Sequence, residues 1–233
     1  MDAIRDLLAR HLDPTIFEYG FADLRGLLPA SLDAFPSGIS ILRKLDDGIV
    51  DGIDRGPTRA YLDHYNATND ELNGLVVRIA EDLRRAGWAS EPVPATVDDP
   101  TLQERYRATL SVPVSHKMVA TRSGLGWVGK TDLLVSVRFG TRIRLASVLT
   151  TAPVIHGHPI DESRCGACTS CVEACPAQAA NGELWNVSRA RNDFFDAFAC
   201  RRYCRRISDE KLGEAISLCG VCVLVCPRGR SRS

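Results

Sequence analysis

The sequence contains no apolar run long enough to span a bilayer. Its opening residues, MDAIRDLLARHLDP, carry Asp2, Arg5, Asp6 and Arg10 and so lack the apolar centre of an export signal. Net charge is missing as well, since 29 Lys and Arg balance 29 Asp and Glu over 233 residues. No internal repeat stands out apart from two cysteine runs. These absences point to a cytoplasmic protein with no membrane partner. In that compartment clustered cysteines serve as metal ligands more readily than as disulfides. A hydrophobic content of 45% and a charged content of 25% are ordinary for a globular chain that buries its own core.

The zero balance hides an uneven spread. Residues 1–110 carry 19 acidic and 12 basic side chains, whereas residues 189–233 carry 10 basic and 5 acidic ones. Arg201, Arg202, Arg205, Arg206, Arg228, Arg230 and Arg232 belong to that basic end. Such an end can attract nucleic acid or an acidic electron donor, or offset the negative charge of thiolates around a metal cluster. A solvated face with charge compensation is the simpler reading.

What the chain does have is nine cysteines, all in its last third. Cys165, Cys168, Cys171 and Cys175 form C-x-x-C-x-x-C-x-x-x-C, followed by Pro176. Cys219, Cys222 and Cys226 form C-x-x-C-x-x-x-C, followed by Pro227, and Cys200 and Cys204 lie between the runs. A [4Fe–4S] cube needs a thiolate at each of four corners, and two-residue gaps let the backbone curl round three of them. In the bacterial ferredoxin pattern the fourth cysteine serves the other cube. The expected sets are therefore Cys165, Cys168, Cys171 and Cys226 for one cluster, and Cys175, Cys219, Cys222 and either Cys200 or Cys204 for the second. Zinc favours paired C-x-x-C knuckles, which this spacing does not repeat. The ninth cysteine reads as a small buried residue or spare thiol.

Along the chain, residues 1–12 read as a short amphipathic helix with Ile4, Leu7, Leu8 and Leu12 on one face. Residues 20–56 suggest two short strands and a loop. A long helix is expected from after Pro57 to Arg85, with Leu72, Leu75, Val76, Ile79 and Leu83 as its buried stripe and Gly87 as its stop. Glu91–Pro94 reads as a strand, Val97–Pro100 as a loop, and Ser115–Ser123 as a second helix ending at Gly124. Asp132–Val137 and Arg142–Thr150 read as strands joined into a hairpin by residues 138–141, the second half-buried. Pro153, Gly157 and Pro159 mark the domain boundary, giving a cofactor or substrate domain over 1–155 and a cluster domain over 156–233. His156 and His158 read as solvated, and Tyr61, His64 and Tyr65 as core or interface residues.

Residues 124–131, GLGWVGKT, satisfy both the dinucleotide and the phosphate-loop patterns. Each requires a preceding strand and a following helix, so that the helix N-terminus faces the phosphates. Here the order is reversed: HKMVA before it is helix-like and LLVSV after it strand-like. The segment is read instead as a tight packing turn or a cofactor-contact loop, with His116, Lys117, Gly126, Trp127, Gly129 and Lys130 as candidate contacts.

The stretch GLGWVGKTDLL, two strands, ESRCGACTSCVEACPAQAA, an intermediate cysteine and LCGVCVLVCPRG together resemble the epoxyqueuosine reductase-like family of double-cluster [4Fe–4S] proteins. The resemblance covers Pro113–Pro227 and is fainter before it. It implies an α+β fold, with an N-terminal α/β domain holding an antiparallel sheet followed by a ferredoxin-like domain with two [4Fe–4S] clusters. It implies an oxidoreductase that also binds cobalamin, fed by a low-potential donor of ferredoxin or flavodoxin type. Electrons would pass through both clusters to a corrin cobalt that reduces an epoxide on a modified tRNA base. It also implies Cys200 as the eighth ligand, since the first cysteine of AFACRRYC takes the place of the family's lone intermediate cysteine. One departure stands out. The family's proton-donating aspartate, three residues before Pro113-Val114, is replaced by Leu110, and no carboxylate lies between Glu104 and Asp132. No catalytic residue is therefore assigned, and a substrate other than epoxyqueuosine is expected. The rival expectations are an electron-transfer protein serving a partner enzyme and a different tRNA-modification reductase.

Overall fold

The computed structural model describes residues 2–96 and 100–229. The loop expected at Val97–Pro100 falls, except for Pro100, outside the described residues. The chain forms two compact units that interleave in sequence. Residues 1–44, 68–125 and 144–160 make the first; residues 45–67, 126–143 and 161–233 make the second. The cluster segment thus shares its unit with the glycine loop and with the segment around Leu45–Ala67, a different partition from a single cut near residue 155.

The first unit is built on a four-stranded sheet in the order β1-β2-β6-β3. Strand β1 is Phe17–Asp23, β2 Ser37–Lys44, β3 Ser90–Val93 and β6 Ile143–Thr150. β1 and β2 pair antiparallel from Phe17↔Arg43 to Asp23↔Ser37, and β3 and β6 from Ser90↔Thr150 to Val93↔Ser147. Helix α1, Asp2–Ala9, buries Ile4, Leu7 and Leu8 against Ile39, Ile41, Ala146 and Val148. Helix α3, Arg59–Arg85, adds the expected stripe Leu72, Leu75, Val76, Ile79 and Leu83 to that core. It stops as its sequence requires. Gly87 turns left-handed at φ 91°, its amide donating to the Arg84 carbonyl and that of Trp88 to the Leu83 carbonyl, a Schellman closure. Helix α5, His116–Arg122, packs on β1 and β2 through Val119 beside Leu24 and Leu149.

In the second unit Leu45, Val50, Ile53, Tyr61, Leu62, Leu218 and Val223 form one core, with Tyr65 packed against it. His64 Nε2 accepts the Asp46 amide at 3.0 Å, at the start of helix α2, Asp47–Asp51. A second core joins Val128, Ala179, Ala180, Phe194 and Phe195. Among the described residues no helix is long and apolar enough to cross a membrane.

Two expectations need correction. The strands around residues 138–141 do not form a hairpin with each other. β5, Leu134–Ser136, pairs with β4, Gly126–Val128; the turn after it closes the single antiparallel bridge Ser136↔Gly140, and β6 then joins the four-stranded sheet between β2 and β3. β6 is not half-buried, since Ala146 through Thr150 are all buried, as in the interior of a sheet. Helix α4, Pro100–Thr109, was not foreseen.

Candidate metal centre and cofactor loop

The first cysteine run is short loop and short helix. Cys165 and Cys168 lie before helix α6, Ser170–Glu173, which carries Cys171, and Cys175 follows it. The second run sits on helix α8, Val221–Val225, entered through left-handed Gly220. Cys219 precedes that helix, Cys222 is in it, and Cys226 ends it. α6 packs on α8, which brings the two runs together. Cys200 is carried by helix α7, Ala197–Leu212, whose first turn is fixed by Asp196 accepting the Ala199 amide at 2.8 Å.

Electrostatics sorts the thiols into groups. Cys171 is pushed up to about 11, first by burial and then by the negative charge that Cys226, Cys165 and Cys168 would carry. Cys222 is pushed up by burial and then by Cys200, Cys219 and Cys171. Cys175 packs in the same apolar cluster as Cys200. Cys204 Sγ lies 3.8 Å from Cys200 Sγ, and that contact holds Cys200 low and drives Cys204 up.

The donor set fits iron–sulfur clusters. All nine cysteines are free thiols. Among the described residues no three His, Cys, Asp or Glu side chains are grouped as one metal ion would need. The sulfurs have polar companions of the kind that tune thiolate ligands. Trp127 Nε1 donates to Cys165 Sγ at 3.4 Å, and the Ala179 amide to Cys175 Sγ at 3.5 Å. Thr131 bonds Cys222. Ser170 Oγ stands 3.6 Å from Cys168 Sγ and lowers that thiol, with the Lys130 cation helping from further away.

The glycine loop is the β4–β5 hairpin, and no helix opens after Lys130. The Gly129 amide donates to the Leu133 carbonyl at 2.8 Å, and Asp132 closes the turn at φ 57°. Gly126 is required by its neighbour strand, because a Cβ there would stand 2.3 Å from the Val135 carbonyl oxygen. At Gly129 a Cβ would stand 3.0 Å from Val135 Cγ2 and 3.7 Å from Cys165 Sγ. Trp127 is only 3% exposed, with the guanidiniums of Arg164 and Arg228 5.9 and 5.6 Å from its ring. Lys130, 4% exposed, lines a cavity of about 490 Å³ with Glu162, Ser163, Gly166, Trp185 and Arg189.

In the other unit, Lys117 is half-buried on α5. His116 spends both ring nitrogens on protein groups, Nε2 on the Pro94 carbonyl and Nδ1 on Ser147 Oγ, each at 2.9 Å. Because a carbonyl only accepts, Nε2 carries the proton of the neutral ring. Burial lowers its pKa to about 4 from 6.5. The unfolded chain therefore binds more protons between those values, and stability falls as pH drops from about 6.5 to about 4. The whole effect is up to about 3 kcal/mol. Denaturant unfolding of the wild type and His116→Gln at pH 7 and pH 4 checks this, the variant losing less on acidification. His156 corrects its reading as solvated: it is half-buried, with Nε2 2.9 Å from Ser37 Oγ, and it pins its loop to β2.

Comparison with known proteins follows the same lines. Residues 164–229 match the 4Fe-4S double cluster binding domain. An epoxyqueuosine reductase of Cyclobacterium marinum is 32% identical over 128 residues, 52% of this chain and 38% of that protein. One of Aliivibrio fischeri is 27% identical over 219 residues, 88% of this chain and 49% of that protein. The chain is similar to the epoxyqueuosine reductases, and its cysteine segment to the double-cluster domain. It spans about half the length, or less, of those curated relatives. The solved epoxyqueuosine reductase of Streptococcus thermophilus shares the fold at a TM-score of 0.61 and 18% identity, covering 100% of this chain and 67% of that one. The catabolic reductive dehalogenase NpRdhA shares it at 0.69 and 18% identity, covering 92% of this chain and 30% of that one.

Sequence reasoning missed Thr131 and Ser170 as companions of the sulfurs, and Trp185 and Arg189 as cavity wall. Thr131 ends the phosphate-loop match and was set aside with it. Trp127, a candidate cofactor contact, is buried and turns its N–H to Cys165. Trp127→Phe keeps the ring and removes that donor. It is expected to move one cluster's midpoint potential negative by about 60 mV, a tenfold change for one electron, read by anaerobic redox titration.

Proposed function

We propose that the chain is an iron–sulfur reductase module that delivers electrons through two [4Fe–4S] clusters to a corrinoid beside the glycine loop. Cys165, Cys168, Cys171 and Cys226 would hold one cluster, and Cys175, Cys200, Cys219 and Cys222 the other. Bound there, the clusters would supply one-electron transfer at low potential, fed by a donor of ferredoxin or flavodoxin type. The observation that carries the reading is the cavity edged by Lys130 and Gly166, hard against the first cysteine run. Its lining has no histidine, so this wall offers a corrin cobalt no imidazole. Cobalamin would supply a cobalt centre able to take electrons and pass them to a substrate. The reductive dehalogenase neighbours, one described in terms of B12-dependent dehalogenation, support that choice.

Within this module Trp127 and Ser170 serve the cysteine loop, and Lys130 offers the cavity a buried cation suited to an anionic substrate or corrin side chain. Leu110, half-buried at φ 50° just past α4, stands where the family's acid is expected. With no carboxylate at that position the general acid for opening an epoxide is missing, which supports a substrate other than epoxyqueuosine. Titrating cob(II)alamin into the anaerobic holoprotein is expected to shift the cobalamin spectrum at one equivalent per chain. An unchanged spectrum would remove the corrinoid and leave an electron-transfer protein serving a partner enzyme.

One observation favours a role for tRNA. Arg202, Arg205 and Arg206 are exposed on α7, and one solved epoxyqueuosine reductase is described with a modified tRNA stem loop. A salt-dependent mobility shift of tRNA that disappears on charge reversal at these arginines would support it; a shift that survives reversal would not.

A further inference from the structure

Helix α7 gathers cations on its outer face without answering them. Arg202, Arg205 and Arg206 are exposed there. Arg206 pairs along the helix with Glu210 at 2.9 Å, whereas Arg202 and Arg205 form no ion pair among the described residues. Helical spacing puts the three about 200°, 140° and 240° round the axis from Cys200. They therefore face away from that sulfur and are not its close counter-charges. Like charges three and four positions apart oppose one another on a helix, so a merely solvated face gains nothing by collecting them. Phe198, 37% exposed, stands on the same face one turn before Arg202. Arginine beside an exposed aromatic ring is the composition of a protein interface.

The position of this face points to its partner, an inference that rests on the electron path proposed above. The cavity lies against the first cysteine run, so electrons leave from the first cluster and enter at the second. α7 carries Cys200, a ligand of the second, on one side and the arginines on the other, separated by about the 10–12 Å thickness of a helix. We propose that Phe198, Arg202, Arg205 and Arg206 dock the electron donor, a small acidic protein carrying a low-potential flavin or iron–sulfur group. Its carboxylates meet the unanswered arginines and steer the encounter, and Phe198 supplies the apolar contact. One electron leaves the reduced donor and enters the cluster on Cys200; no proton or group moves with it. A tRNA would find the same cations, but its reacting base belongs at the cavity, whereas this face adjoins a ligand of the other cluster.

The test follows reduction of the anaerobic holoprotein by stopped-flow absorbance with an acidic flavodoxin, an acidic plant-type ferredoxin, and dithionite, which needs no docking surface. Calorimetry measures complex formation with the two oxidised proteins. At least one of them is expected to reduce the wild type at a rate that falls steeply with salt. Arg202→Glu/Arg205→Glu is expected to lower that rate and the affinity about tenfold or more at low salt, with iron content and reduction by dithionite unchanged. Arg202→Lys/Arg205→Lys, which keeps the charge, is expected to recover most of the rate. An unchanged donor rate and affinity in the Glu variant would overturn the proposal, and loss of a tRNA shift in that same variant would give the face to tRNA instead. Failure of both proteins to reduce a wild type that dithionite reduces would overturn it too. A wild type that takes up no iron would instead sink the cluster assignment on which the inference stands.

Discussion

Cys171→Ala and Cys226→Ala are expected to cost the same four irons, although 55 positions separate them. Cys171 feels Cys165, Cys168 and Cys226 together, so the last cysteine of the second run is expected to close the first group. Cys175 packs with Cys200 at the other. The double variant Cys171→Ala/Cys226→Ala should therefore keep about four irons and one intact cluster. Cys171→Ala/Cys175→Ala, which strikes both groups, should keep none. An arrangement in which each run closed its own cluster predicts the reverse pair of results. Iron analysis with low-temperature electron paramagnetic resonance of the two double variants separates the cases.

The second large effect is one of stability. Arg142 is among the largest fully buried side chains of the described residues. One guanidinium nitrogen donates to Asp47 Oδ1 at 3.0 Å and to the Asp47 carbonyl at 3.2 Å, and another to Asp51 Oδ1 at 2.6 Å. Despite its burial these carboxylates hold its pKa above the usual arginine value. Arg142→Met removes that cation and its hydrogen bonds, whereas Asp47 and Asp51, 29% and 61% exposed, keep access to water. Losing hydrogen bonds between charged groups costs about 2 kcal/mol, which for a chain of this size is roughly 4–8 °C in Tm. The triple variant Arg142→Met/Asp47→Asn/Asp51→Asn should recover little of the loss, since the carboxylates are already solvated. Thermal unfolding under anaerobic conditions reads both.

The difference between these two predictions is also the difference between what was legible in the sequence and what was not. The cysteine runs could be read because their chemistry is local: two-residue gaps curl the backbone, and Pro176 and Pro227 mark the departing ligand. The stripe and the stop of α3 are local in the same sense, resting on helical spacing and on one left-handed glycine. Arg142 opens a strand that reads as half-buried, and its carboxylates are about 90 residues earlier in the chain, so its burial was not legible. Trp127 and Cys165 meet across 38 positions, so the direction of the indole could not be read from its own loop. The supposed hairpin failed for a related reason. Strand-like composition shows that a segment extends, but the choice of partner depends on a turn only five residues long and on a sheet assembled from distant segments. The ninth cysteine could be counted but not placed, because Cys200 and Cys204 share a helix face.

The central claim is that this chain holds two cubes and nothing else on its cysteines. Anaerobic reconstitution followed by iron and sulfide analysis and Mössbauer spectroscopy tests it most directly. The account predicts about eight irons and eight sulfides per chain, all in [4Fe–4S] form. About four irons per chain, or zinc in place of iron, would contradict it.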